Sequence, residues 1–343
     1  MKPLVSILIP AYNSQEWIAA TLRSALHQTW PDKEIIVVDD GSKDRTRSIA
    51  EKFSKDGVIV VSQKNQGASA ARNKAFSLCH GDYIQWLDAD DILAPDKISL
   101  QMESVVQSNN KRILFSSEWG KFLYRIKRAN FLRTALWEDL SPLEWLIRKM
   151  SLNIWMIPGC WLVSRELTEA AGPWDERLSF DDDGEYFCRV LLNSEGVKFI
   201  PDARIFYRAG GLTSLSNFDG STKKLESAWI SIRLHIKYLL QMELSERTRQ
   251  AAVTYLRTWL PGFNYCRPDI VKEMKEMGIA LGGEVKIIET VDVLRWKFAW
   301  MKNIFGGRFA FWAQTYLPRF KHLTIRSWDK AISRLEKLTQ PEL

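Results

Sequence analysis

EIIVVDDGS, residues 34–42, is the stretch on which the fold turns. Four β-branched residues, Ile35 to Val38, make a run too short for a helix and apolar at every position. That pattern suits a strand buried on both faces. The run stops abruptly at Asp39-Asp40-Gly41-Ser42. The same grammar recurs on either side. An apolar run over 4–9 ends in Pro10-Ala11-Tyr12-Asn13, another covers 58–61, and one over 83–87 runs into Asp88-Ala89-Asp90-Asp91. Between them the apolar spacing is helical: Trp17, Ile18, Leu22, Ala25 and Leu26 over 16–28, then 44–53, then an Ala-rich 67–78. Pro95 can open a further helix, continued by Ile98, Met102 and Val105. Strands alternating with helices predict βαβ units, a mostly parallel sheet and right-handed crossovers. Such sheets bind ligands at the carboxyl ends of their strands. The polar clusters 13–14, 39–42 and 88–91 all fall there.

Beyond a strand at 113–116 the alternation weakens. Ser141-Pro142-Leu143-Glu144 reads as a capping box that opens a helix to about residue 149. A strand is expected at 160–163, a helix over 180–192, and two short strands at 197–200 and 204–207. Helical spacing then dominates over 225–240, 246–260 and 270–281. A segment rich in Ser, Thr and Gly at 212–221 suggests a boundary, giving a domain over 1–215 and a helical region over 216–343.

Composition narrows the class. The chain has 343 residues with 46% hydrophobic and 26% charged positions, enough for a sizeable core and too apolar for disorder. The four cysteines, Cys79, Cys160, Cys188 and Cys266, form no CxxC pair, so buried thiols are expected rather than a disulfide framework or zinc site. No run approaches the ~20 apolar residues that a membrane-spanning helix needs. The net charge of +7 is uneven: residues 286–343 hold 11 basic and 5 acidic side chains, and the other 285 residues are nearly neutral, with 37 against 36. Residues 296–328 also carry ten of the 40 aromatics.

Four constellations carry chemistry. Asp88-Ala89-Asp90-Asp91 can gather carboxylates for a hard divalent cation that also binds substrate phosphates; a solvated turn capping the next helix is the alternative. Asp39-Asp40-Gly41-Ser42 could accept a base N–H or a ribose hydroxyl, or merely cap a helix. In NQGASAARN, residues 65–73, a helix start beside Arg72 suits an anionic phosphate, unless Arg72 lies in solvent on a packed helix. Asp181-Asp182-Asp183 place three like charges side by side. That is costly without a compensating cation, and it raises a carboxylate pKa toward the range of a general base. An acidic first helical turn is the alternative.

In order and spacing, PAYN (10–13), VDDGS (38–42), NQGASAARN (65–73), GDYIQWLDADD (81–91) and GPWDERLSFDDDGEYFCR (172–189) resemble the inverting family 2 glycosyltransferases. The likeness covers residues 3–215. It implies the α/β GT-A fold, with a Rossmann-like, mostly parallel sheet flanked by helices, here followed by a helical C-terminal extension. By the same resemblance Pro10, Tyr12 and Asn13 frame the nucleotide pocket, and Asp40 binds the base. Arg72 lies near the nucleotide and Asp88 near the ribose or metal. Asp90 is the metal ligand of the DxD motif, and Asp182-Asp183 match the family's Glu-Asp pair, with Asp183 the base. A divalent metal, Mn²⁺ or Mg²⁺, a nucleotide-sugar donor of the UDP class, and a glycan or lipid-linked acceptor follow as expectations.

Two rivals stay open at this point: a sugar-phosphate nucleotidyltransferase, which would want a Gly-rich phosphate loop where Pro10–Asn13 offers none, and a non-catalytic binding protein of the same fold. The basic, aromatic stretch 286–328 has the character of an interfacial membrane segment, with packing on the catalytic domain as its alternative. No nucleic-acid module accompanies the charge, so nucleic acid is not an expected partner. The expected location is cytoplasmic, peripheral at the membrane face.

Overall fold

The computed structural model describes residues 2–209, 221–263, 266–286, 304 and 327–333. Strands β1 (Val5–Ala11), β2 (Lys33–Asp39), β3 (Val58–Ser62) and β4 (Tyr83–Trp86) form one parallel sheet in the order β3-β2-β1-β4. A two-residue antiparallel strand, Val163–Ser164, closes the β4 edge. The register pairs Ala11 with Asp39 and Leu8 with Trp86, so the segments after β1, β2 and β4 leave the sheet at one edge. The expected strand-end clusters therefore share a rim. Helices α1 (Ile18–Leu26), α2 (Thr46–Ala50) and α3 (Ala68–Leu78) make the crossovers. Ile7, Leu8 and Ile9 of β1 and Ile36, Val37 and Val38 of β2 have no exposed surface, as residues covered on both faces should.

A second, four-stranded sheet is built from Ile92–Leu93, the long strand Gly196–Arg208, Ile113–Phe122 and Asn130–Phe131. Two expectations change here. The strands at 197–200 and 204–207 are one, because Asp202 takes a left-handed φ of 66° and the strand continues past it. The chain at 160–163 is not a full strand: Pro158–Cys160 is a 3₁₀ turn, and Leu162 makes an isolated antiparallel bridge to Phe115 before Val163–Ser164 pairs with β4. A short helix at Arg165–Ala171 escaped the sequence reading, although Ser164 caps it by accepting from the Leu167 N–H at 3.1 Å.

Further helices are α4 (Lys97–Ser108), α5 (Pro142–Leu152), α6 (the Arg165–Ala171 helix), α7 (Asp182–Asn193), α8 (Thr222–Met242), α9 (Glu246–Phe263) and α10 (Pro268–Ala280). The Ser141 hydroxyl accepts from the Glu144 N–H at 3.2 Å, so the capping signal opens α5 as read. One compact unit contains residues 1–121 and 130–285, so α8 to α10 share a unit with the sheet and the unit continues past 215. A second unit comprises 122–129 and 286–343; within it Asp329 pairs with Arg125 at 2.5 Å and accepts the Tyr124 N–H at 3.0 Å. Most of the basic, aromatic stretch, 287–303 and 305–326, lies outside the described residues. Among those described, no helix is long and apolar enough to cross a membrane. All four cysteines are free; Cys79, Cys160 and Cys188 are buried and Cys266 is exposed.

Candidate active site

Three carboxylate groups meet the rim of the parallel sheet, and the structure treats them differently. The first follows β2. Asp40 is 2% exposed, and its Oδ1 accepts from the Gln63 amide at 2.8 Å and the Gln66 N–H at 2.9 Å. Its Oδ2 accepts from the Gly67 N–H at 2.8 Å. Gln66 and Gly67 lead directly into α3, with Gly67 at φ 101° as its N-cap. Asp40 thus fixes the two residues that lead into α3, and its carboxylate accepts from none of the first-turn N–H groups of that helix. Beside it, the Asn13 side chain accepts from the Lys43 N–H at 2.9 Å, and the Asn13 N–H donates to Ser42 at 3.0 Å. Pro10 pairs in register with Val38, and Tyr12 stands 45% exposed next to this turn. These four expected nucleotide-pocket residues, Pro10, Tyr12, Asn13 and Asp40, therefore share one corner.

The second group is Asp88-Ala89-Asp90-Asp91, after β4. It is held from behind, where the Thr21 hydroxyl of α1 donates to the Ala89 carbonyl at 3.0 Å. Asp91 is fully buried and accepts the Arg208 N–H at 2.8 Å, while its Oδ2 has no partner. Burial, then Asp90 and Asp88, push the Asp91 carboxyl well above its usual range. The Asp90 carboxylate accepts no hydrogen bond from another described side chain, although Arg208 Nε donates to the Asp90 backbone carbonyl at 2.9 Å. Burial and the nearby Asp88 raise the Asp90 carboxyl to about 6, against the opposing charge of Arg208. Such under-partnered carboxylates fit a divalent cation, which would supply the missing positive charge. Among the described residues no cluster of three or more His, Cys, Asp or Glu side chains forms a ready-made cage. A Mg²⁺-like ion does not require one, because it is usually held by one or two carboxylates with waters and substrate phosphates.

The third group opens α7. Arg72 joins it to the second: Nη1 donates to Asp182 at 2.7 Å and Nη2 to Asp88 at 2.8 Å. The guanidinium is 5% exposed and lies 4.3 Å from the centre of the Trp174 ring. Burial opposes its charge, but Asp182 and Asp88 outweigh burial and raise its pKa. Arg72 is therefore a buried bridge, not a solvated helix residue. Asp181 turns the other way, with Oδ2 accepting from Ser231 at 2.7 Å. Asp183 is left between them and accepts no side-chain hydrogen bond from a described residue. Burial first, then the charges of Asp182 and Asp181, push it up to about 7, against the lowering effect of Arg72.

Arg72, Asp88, Asp90, Asp182 and Asp183 thus form one electrostatic cluster, and Asp40 reaches it only through α3. Trp174, which sequence reading gave no role, carries the Arg72 guanidinium; its signal was its place in the GPWDE run. A cavity of about 540 Å³ is lined by Asn73, Trp174, Glu185, Arg189, Leu234 and Tyr238, and none of the cluster aspartates borders it.

The chain is similar in sequence and fold to known proteins. The family model described as glycosyl transferase family 2 matches residues 6–169. An uncharacterized glycosyltransferase of Rickettsia typhi is 31% identical over 228 residues, covering 66% of this chain and 70% of that protein. A putative teichuronic acid biosynthesis glycosyltransferase of Bacillus subtilis, TuaG, is 40% identical over 109 residues, which is 31% of this chain and 43% of that protein. Among solved structures, S. aureus TarS in complex with UDP-GlcNAc aligns with a TM-score of 0.63 and 19% identity, over 81% of this chain and 79% of that one. That likeness establishes the GT-A fold.

Proposed function

The chain belongs to glycosyltransferase family 2, and from that premise we propose that it is an inverting, metal-dependent transferase that moves a sugar from a UDP-sugar to a hydroxyl of a glycan or lipid-linked acceptor. Its general base is Asp183. The observation that carries this reading is the unequal treatment of three adjacent aspartates: Asp182 is tied to Arg72, Asp181 to Ser231, and the Asp183 carboxylate, with a pKa near neutrality, accepts no side-chain hydrogen bond from a described residue. A base works best when its pKa lies near the operating pH.

In the proposed mechanism Asp183 takes the proton of the acceptor hydroxyl as that oxygen attacks the anomeric carbon of the donor. The nucleoside diphosphate departs from the opposite face, inverting the configuration. Arg72 holds Asp182 and Asp88 in place, so the base and the donor side of the cleft keep a fixed separation during transfer. Asp90, with Asp88 beside it, would hold a Mn²⁺ or Mg²⁺ ion, whose chemistry is to offset charge on a diphosphate. Pro10, Tyr12 and Asn13 frame the nucleotide, and Asp40 shapes the same corner by fixing the start of α3.

The nucleotidyltransferase alternative would want a Gly-rich phosphate loop after β1, where Pro10-Ala11-Tyr12-Asn13 offers no glycine. Surface-polysaccharide synthesis is the context suggested by TuaG. The composition of 286–343 supports a peripheral position at the cytoplasmic membrane face, which flotation of the full chain with anionic against neutral liposomes would test. Equal recovery with neither would remove that claim. The transfer itself is tested by screening nucleotide sugars for hydrolysis, with and without EDTA and with Mn²⁺ added back. UDP-sugar turnover that EDTA stops and Mn²⁺ restores is expected; metal-independent turnover would overturn the metal assignment.

A further inference from the structure

We propose that α8 is the positioning element of the catalytic turn, its Ser227 and Ser231 fixing residues 179–181 so that Asp183 is presented to the cleft unbonded. This rests on the reading of Asp183 as the base, and it gives a role to a helix outside the span that the family model matches.

The turn before α7 has little local support. Asp181 holds the N-cap position with a left-handed φ of 57°, and its side chain makes no capping bond to its own helix. A non-glycine residue keeps that conformation only where its surroundings impose it. Here α8 imposes it. Ser227 Oγ accepts from the Ser179 and Phe180 N–H groups at 2.9 and 3.0 Å and donates to the Phe180 carbonyl at 2.8 Å. One turn on, Ser231 Oγ donates to Asp181 Oδ2 at 2.7 Å. The two serines are four residues apart, hence on one helix face, and are 2% and 0% exposed.

The stripe continues. His235 Nδ1 lies 3.0 Å from the Tyr255 hydroxyl and 3.8 Å from Asp181 Oδ2, and the Tyr238 hydroxyl donates to Glu185 of α7 at 2.9 Å. Burial, then Lys149, hold His235 down at about 4, so it faces Asp181 as a neutral ring. Lys149 of α5 adds a buried positive field toward Asp181. The α7 side is built to match. A Cβ on Gly184 would come within 2.2 Å of Asp181 Oδ1, so only glycine lets that carboxylate fold over the first turn. A helix face used only for packing would carry no buried hydroxyls, because an unpaired one is costly. These hydroxyls are paired, and every partner of the two serines lies in the three residues before α7.

The test uses the full chain with the UDP-sugar that turns over in the hydrolysis screen, UDP release being the readout. Ser231→Ala should lower kcat by about 10- to 100-fold, as a displaced catalytic group does, with donor KM and Tm nearly unchanged. Ser231→Thr, which keeps the hydroxyl, should recover most of the loss. Because Ser231 acts through Asp181, Ser231→Ala combined with Asp181→Ala should lose no more than the worse single variant. A folded Ser231→Ala enzyme with wild-type kcat would overturn the proposal, as would losses that multiply in the double variant. Should Ser231→Ala not fold, Ser227→Ala tests the same clamp with the same kcat–KM split. Asp183→Asn run in parallel separates the two readings: an active Asp183→Asn enzyme sinks the base assignment, whereas an inactive one beside an unaffected Ser231→Ala sinks only the role of α8.

Discussion

Two acidic corners of one sheet rim look alike as sequence and differ as structure. After β2, Asp40 accepts hydrogen bonds from Gln63, Gln66 and Gly67, so both of its oxygens serve the fold. Across the cleft, the carboxylates of Asp90 and Asp183 accept none from other described side chains, and burial together with neighbouring aspartates raises both toward neutrality. A satisfied carboxylate is scaffold. One left half-buried and under-partnered costs folding energy, and it persists where a ligand, a metal or a proton supplies what is missing. The difference sorts the aspartates by role better than their motif positions do.

The hardest blow to that comparison would come at Asp183. Asp183→Asn should reduce kcat by about 10³-fold or more, the upper range for a positioned base, while UDP affinity measured by calorimetry stays within a few-fold. In the wild-type enzyme kcat/KM should climb as pH rises through about 7, where the Asp183 proton is lost. Wild-type rates in the variant, or a flat profile over that range, would remove the distinction.

Arg72 comes next, because its guanidinium joins the two under-satisfied groups. Arg72→Lys keeps a charge but not the fork that reaches Asp182 and Asp88 together, nor the flat face on Trp174. The expected loss in kcat is about 100-fold, with reduced stability in urea. Arg72→Ala should cost about 3 kcal/mol or more, as breaking a buried pair does. If lysine restored full activity, the two groups would be coupled by charge alone.

How much of this could be read beforehand divides along the same line. The strands, the rim and the identity of its aspartates were legible, because apolar runs ending in carboxylates are local signals. Partners were not. Arg72 reaches Asp182 across 110 residues of sequence, and Ser231 reaches Asp181 across 50. Nothing in either neighbourhood announces the other. Asp40 illustrates the gap best: a cap for the following helix was the plain reading, and it instead holds the two residues before α3, the helix beyond that one, through a tertiary contact. Asp202 misled in the opposite sense, breaking the pattern of a strand that the backbone continues.

Asp40→Asn examines the scaffold side. Replacing one oxygen with an amide points a donor at N–H groups that need an acceptor, which should cost about 1–3 kcal/mol of stability. Donor KM should rise through the displaced start of α3, with kcat changed far less than in Asp183→Asn. Urea unfolding and steady-state kinetics measure both. A large kcat loss with unchanged stability would place Asp40 in the chemistry and erase the contrast between the corners.

The smallest expected effect is the most discriminating, because its sign is unusual for an active-site substitution. Asp183 has a folded-state pKa near 7 against an ordinary value of 3.8. Between those values the folded chain holds a proton that the unfolded chain has released, so stability falls as pH rises through that window. Asp183→Asn carries no such penalty. The inactive variant should therefore be the more stable protein at pH 8, by about 1 kcal/mol or more, read as a higher Tm. The advantage should shrink as pH falls toward 4, where wild-type Asp183 is protonated. Asp40→Asn should show no such gain at either pH. Thermal melts of the two variants against wild type across that range compare the corners directly. A wild-type enzyme more stable than Asp183→Asn at pH 8 would mean that its carboxylate is as well satisfied as that of Asp40.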